Sequence, residues 1–284
     1  MQQVLELLKE KLGVALQEHH LTPLLDAYCF HKKVPEAIAF FDMLRASSIT
    51  PTIFTAQPLV EVLQDSISAI DQAYSLLEER ASHSKPVDLA LFNTVVKASV
   101  KFGDLQRAVG TYKAAATMNV APNIDTYNIL LTGCIAAEHS ELGERLLAEM
   151  RAAGLNPDER TYERLVILAL TQPSYEAAFF YLEEMKGFSY QPSPQVYEAL
   201  ASKCAFAKDA RANLVLQEME ESGYKPTGYL RRLVETKGEV VPDRTAGSTD
   251  GATAVMVDEK RKAFRRGTMH EMIDKLKEER SEQG

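Results

Sequence analysis

Two asparagines, Asn93 and Asn128, each stand directly after an aromatic residue, Phe92 and Tyr127, and are 35 residues apart. A side-chain amide offers a hydrogen-bond donor and an acceptor together, so it can meet a polar partner on both counts. The other candidate chemistry is sparse. His19 and His20 are adjacent, so on a helix they point to different faces, and no Cys or acidic partner stands at metal-ligand spacing. We read them as surface histidines. Cys29, Cys134 and Cys204 are odd in number and widely separated, which supports neither a disulfide framework nor a zinc site and fits a reducing compartment. Cys134 and Cys204 are 70 residues apart and read as small packed apolar groups. The run KRKAFRR at 260–266 could touch phosphates through Lys260, Arg261, Lys262, Arg265 and Arg266, with Phe264 free to stack. The simpler reading is a solvated helix face balanced by Asp258, Glu259 and Glu271. No Gly-rich phosphate loop, nucleophile elbow or catalytic constellation is present, so an enzyme, a cofactor and a small-molecule substrate are not expected.

The elements that must position the asparagines repeat along the chain. Pro51, Pro86, Pro122, Pro157, Pro192 and Pro226 are spaced 35, 36, 35, 35 and 34. Phe92, Tyr127, Tyr162 and Tyr197 run in phase at intervals of 35. Met150, Met185 and Met219 each lie seven residues before a proline of that series. Within one unit, Tyr127, Leu130, Leu131 and Cys134 follow the i, i+3, i+4, i+7 pattern of a helix face. His139 and Ser140 interrupt it, and Leu142, Leu146, Leu147 and Met150 mark a second face. Gly154 suits a helix C-terminal cap, and Pro157 cannot continue a helix. The unit is therefore a helix, a turn, a second helix and a stop. Two such short helices cannot bury their apolar faces alone, so neighbours must stack. The expected fold is all-α, an α-solenoid of stacked helix-turn-helix repeats. The methionines and tyrosines belong to its core, and buried tyrosine hydroxyls need partners.

Composition agrees. The 284 residues are 45% hydrophobic and 25% charged, as in a globular chain. A net charge of -8 excludes a uniformly basic nucleic-acid coat but not a local basic groove. No apolar run is long enough for a membrane span, so membrane insertion is not expected. Residues 1–17 form an amphipathic stretch without the apolar core of a secretory signal or the Arg-rich, acid-poor character of a transit peptide.

These residues resemble the pentatricopeptide repeat family. The opening aromatic followed by Asn occurs at Phe92-Asn93 and Tyr127-Asn128. A small residue of the second helix occurs at Ala37, Ala73, Ala108, Gly143 and Ala178. The ending of Met, Gly, Pro and a polar residue is met by LLAEMRAAGLNPD at 146–158. The tetratricopeptide repeat is the nearest rival; its period is 34 and its pattern wants Trp, of which this chain has none. The resemblance implies a right-handed superhelix with units at 18–52, 53–88, 89–123, 124–158, 159–193 and 194–227. Residues 1–17 would be an N-terminal helix or partial repeat, 228–234 a closing helix, 235–255 a linker and 256–284 a charged C-terminal helix.

The resemblance also implies function. Such proteins read single-stranded RNA at roughly one base per repeat. The residue after the aromatic and the last residue of the unit meet the base. Asn93 with Asn123 then resembles the pyrimidine readers, and Asn128 with Asp158 the uridine readers. The other pairs depart from known readers: Thr22 with Thr52, Gln57 with Asp88, Glu163 with Ser193, and Glu198 with Thr227. The family's phosphate-facing lysine has one match, Lys101, where the other units hold Phe30, Asp65, Ala136, Thr171 and Phe206. The base-sandwiching place holds His19, Phe54, Ala90, Asp125, Arg160 and Gln195, of which only Phe54 is large and apolar. Weak, salt-sensitive RNA binding is expected. The implied role is an organelle RNA-binding adaptor, mitochondrial or else chloroplastic, with a protein-binding scaffold as the alternative. The RNA reading requires Asn93 and Asn128 to line a shared inner groove and not the packed interior.

Overall fold

The structure, a computed structural model, describes residues 18–52 and 55–239. The expected helix at 1–17, the stacking place at Phe54, most of the linker and the tail with its basic run lie outside the described residues. So does the side chain of His19. Contacts divide the chain into two units, residues 1–192 and 193–284. Thirteen α-helices and no strand occur among the described residues.

The first unit contains ten of the helices. They are α1 (Glu18–Phe30), α2 (Val34–Ala46), α3 (Gln57–Leu63), α4 (Ile67–Ser82), α5 (Leu89–Phe102), α6 (Leu105–Lys113), α7 (Ile124–Ala136), α8 (Ser140–Ala152), α9 (Glu159–Thr171) and α10 (Glu176–Gly187). Successive helices pair as hairpins. The first helix of each hairpin packs on the first helix of the next, so α1, α3, α5, α7 and α9 form one continuous layer. The second helices flank it: α4 lies against α5, α6 against α7, and α8 against α9. The second unit holds α11 (Pro194–Phe206), α12 (Arg211–Glu221) and α13 (Gly228–Glu235), with α11 packed against both others. This is the stacked-hairpin architecture of an α-solenoid.

The repeat markers do the packing. Phe92, Tyr162 and Tyr197 are fully buried, and so are Met150, Met185 and Met219. Each such large side chain removed from water contributes about 1.5–3 kcal/mol. The buried tyrosines find polar partners at the second helix. The Tyr127 hydroxyl accepts from Tyr112 at 3.1 Å, and Tyr112 also reaches Glu149 Oε2 at 2.8 Å. Tyr162 accepts from Arg151, which is ion-paired to Glu184 at 2.6 Å. Tyr197 donates to Glu218 at 2.9 Å.

The small residues let helices approach. Ala37, Ala73, Ala108 and Ala178 have no exposed surface. At Gly143 even a methyl group would overlap the Leu168 side chain, so α8 meets α9 there through bare backbone. The stops follow as read. Gly103 after α5 and Gly154 after α8 take left-handed backbone, with φ of 93° and 74°, which costs glycine little.

Candidate nucleic-acid interface

The site begins with how α7 and α9 start. Asn123 is the N-cap of α7, and its Oδ1 accepts from Thr126 N at 3.0 Å. Asp158 caps α9 in the same way, accepting from Thr161 N at 2.8 Å. In return Thr126 Oγ1 accepts from Asn123 N at 3.1 Å, and Thr161 Oγ1 from Asp158 N at 3.3 Å. Each is a reciprocal capping box that satisfies otherwise orphaned backbone donors.

The preceding repeat plugs into each box. Asn93 of α5 donates from Nδ2 to Asn123 Oδ1 at 3.4 Å, and its Oδ1 accepts from Thr126 Oγ1 at 2.7 Å. Asn128 of α7 donates to Asp158 Oδ1 at 3.2 Å and lies 3.0 Å from Thr161 Oγ1. The same three-residue knot is thus built twice, one repeat apart. It brings together the two pairs read from the sequence, Asn93 with Asn123 and Asn128 with Asp158.

Asn93 and Asn128 are nevertheless only 2% and 5% exposed. The reading wanted both amides open on an inner groove. They lie instead in the seam between repeats, because the capping box offers the amide a donor and an acceptor at hydrogen-bonding distance and removes the cost of burying it. Asn123 and Asp158 are the half-exposed members of each pair. Asn123 also donates from Nδ2 to Asp125 Oδ2 at 3.2 Å. Burial of Asp158 raises its pKa, but hydrogen bonds from Thr161 and Asn128 and the charge of Arg164 outweigh that. The carboxyl titrates below its ordinary value of 3.8.

The pairs Thr22 with Thr52 and Gln57 with Asp88 are held by other partners. The Thr22 hydroxyl donates to the Glu18 carbonyl at 3.0 Å, and Thr52 makes a reciprocal pair with Thr55, 3.0 Å between hydroxyls. Asp88, the N-cap of α5, is ion-paired to Arg45 at 2.6 Å, while Gln57 Oε1 accepts from Lys97 Nζ at 2.8 Å. Glu163 is buried on α9 at 8% exposure. In the second unit Ser193 is the N-cap of α11, Glu198 is half-buried on α11, and Thr227 caps α13 by accepting from Leu230 N at 3.2 Å. Lys101 is exposed at the end of α5.

Sequence reasoning missed two things. The last residue of each unit from Asp88 onward is also an N-cap, a place that selects Asp, Asn, Ser and Thr on helix grounds alone. The spacing of Asn123 to Thr126 and of Asp158 to Thr161 was the available signal. It also missed Lys97, half-buried one turn beyond Asn93 on α5. Desolvation lowers the pKa of Lys97, with the charge of Lys101 adding to that and Glu61 and Asp125 opposing it. Among the described residues no group of three His, Cys, Asp or Glu is placed to hold a metal ion. No described helix is long and apolar enough to cross a membrane.

Stacked helical hairpins carrying this recurrent polar knot define a helical-repeat protein. Residues 1–115 match a family described as "Pentatricopeptide repeat-containing protein", and residues 122–166 match the "PPR repeat family". The chain belongs to the pentatricopeptide repeat family. Among curated relatives, it is 27% identical over 170 residues to the mouse "Pentatricopeptide repeat-containing protein 1, mitochondrial", covering 60% of this chain and 23% of that protein. Its human counterpart is 30% identical over 136 residues, covering 48% of this chain and 19% of the relative. The chain thus spans less than a quarter of these relatives. Among solved structures, the maize pentatricopeptide repeat protein PPR10 matches with a TM-score of 0.50 and 21% identity, over 93% of this chain and 37% of that one.

Proposed function

We propose that this chain is an organelle RNA-binding adaptor that contacts a short single strand at its 89–158 repeats. The family membership supplies the ligand class. The observation that carries the reading is the twofold recurrence of the knot, with Asn93 joined to Asn123 and Asn128 joined to Asp158. Burial of Asn93 and Asn128 rules out the form of the reading in which both amides line an open groove, so the half-exposed Asn123 and Asp158 would meet the base edge directly. The buried asparagines would hold those two side chains in register and offer the amide when a base displaces the knot. Names of relatives favour a mitochondrial address, and a chloroplastic relative in Arabidopsis thaliana keeps the plastid as the alternative. Binding would support processing, stability or translation of the RNA, with the chemistry of those steps supplied elsewhere.

The experiment is equilibrium binding of a U- and C-containing oligoribonucleotide to the full chain at low salt. Binding is expected, and the pair Asn93→Ala with Asn128→Ala should weaken it while the chain stays folded by circular dichroism. A wild-type chain that holds no oligonucleotide ends this reading. The burial of both asparagines and of Glu163 favours one alternative, a protein-binding scaffold. Partners captured from organelle extract that survive nuclease treatment would support it.

A further inference from the structure

The junction between the 53–88 and 89–123 repeats differs from the two that follow. By register Gln57 should meet Asp88, but Asp88 is held by Arg45 at 2.6 Å. Gln57 turns to Lys97 instead, accepting from its ammonium at 2.8 Å across the helix seam. Gln57 Nε2 in turn donates to Glu61 Oε1 at 3.2 Å, so the glutamine is fixed at both ends.

Asn93, Lys97 and Lys101 succeed one another at four-residue steps along α5, so they form a stripe on neighbouring turns of one helix side. The equivalent places to Lys97 in the flanking repeats hold Asp26, Glu61, Thr132 and Ile167. Lys97 therefore makes α5 the one first helix of the unit with two cations along that stripe. Lys97 is half-buried, and its ammonium is held by Gln57. A lysine oriented in this way loses less side-chain entropy on meeting an anion than a free surface lysine does.

We propose that Lys97, oriented by Gln57 of the preceding repeat, is a second phosphodiester contact beside Lys101 and anchors the RNA strand where it enters the paired steps at Asn93 and Asn128. Gln57 is then a positioning residue and not a base reader. This rests on the RNA-binding reading and adds to it a residue that the repeat pattern does not assign.

The test is the salt dependence of oligoribonucleotide affinity. Each phosphate contact on a single strand contributes a slope of about -0.7 in log K against log salt. Lys97→Met should flatten the wild-type slope by about that amount, and Lys97→Met with Lys101→Met by about twice it. Lys97→Arg should restore the slope, and Gln57→Ala should weaken affinity several-fold with the charge retained. Thermal unfolding checks that each variant is folded; Met at a half-buried place removes a desolvated charge and should not lower the midpoint. A wild-type chain that binds with a slope unchanged by Lys97→Met overturns the assignment and leaves the RNA reading standing. A wild-type chain that does not bind removes both.

Discussion

Asn128 Nδ2 donates to Asp158 Oδ1 at 3.2 Å, joining the first helix of one repeat to the cap of the next. The same oxygen also accepts from the Thr161 backbone and hydroxyl, at 2.8 and 2.7 Å. One carboxylate oxygen thus serves the start of a helix and the seam between repeats.

Asn128→Ala should destabilise the fold by about 1–3 kcal/mol, since it strips a partner from buried Thr161 and from Asp158. Urea unfolding of variant and wild type measures this directly. A loss near zero would mean that water replaces the amide and that the seam does not depend on it.

Asp158 has a lowered pKa in the folded chain, so it favours the folded state at neutral pH. That contribution is fully present above its unfolded value, about 3.9. It is lost as pH falls through the lower folded value. Asp158→Asn keeps a capping oxygen without the titration, so its stability should fall less steeply than wild type below about pH 4. Thermal midpoints between pH 2.5 and 6 decide it.

Asn123→Asp would make the two knots chemically alike. On the proposed reading it should shift preference at that step from pyrimidines in general toward uridine. Each well-read base edge is worth about 1–3 kcal/mol of discrimination. Competition between oligonucleotides differing by one C or U measures it, and an unchanged ratio would remove Asn123 from base reading.

Gly143→Ala should cost about 1–3 kcal/mol, because the added methyl overlaps Leu168 in the α8–α9 contact. Gly110, also on a second helix, has no atom near where its Cβ would stand. Gly110→Ala should therefore be neutral or gain up to about 1 kcal/mol. Thermal unfolding of both variants tests the contrast.

Cys29, Cys134 and Cys204 are all buried, and none is in a disulfide. Burial pushes the Cys29 and Cys134 thiols up to about 12, with the charges of Asp26 and Glu61 adding to the effect at Cys29. Both should resist alkylation in the native chain at pH 8 and react at once in guanidinium. Peptide mapping after labelling would show it. Rapid native labelling of Cys134 would contradict the packing described for α7.

The fold was readable because a period of 35 repeats the same packing demand many times. Each aromatic, methionine and small residue falls at a place that only stacked hairpins can bury, as at Tyr162, Met150 and Gly143. The candidate site was half readable. The family resemblance paired Asn93 with Asn123 and Asn128 with Asp158, and the structure brings each pair to hydrogen-bonding distance. Exposure was not readable, because an asparagine in a groove and one plugged into a capping box have the same letter and phase. Only the threonine three residues past each cap distinguished them. Lys97 was invisible for another reason. Its partner Gln57 is 40 residues away, and Asp88, the partner that register gives Gln57, is held by Arg45.

On the proposed RNA reading, the diversion of Asp88 to Arg45 also limits how much the surface can tell apart. It interrupts the row of knots immediately ahead of Asn93, so the uninterrupted stretch within the first unit amounts to a pair of adjacent modules. A word of two letters recurs in almost any transcript. Choice among messages would then fall to whatever accompanies this stretch, and swapping Arg45 for a neutral side chain becomes the simplest way to lengthen the vocabulary.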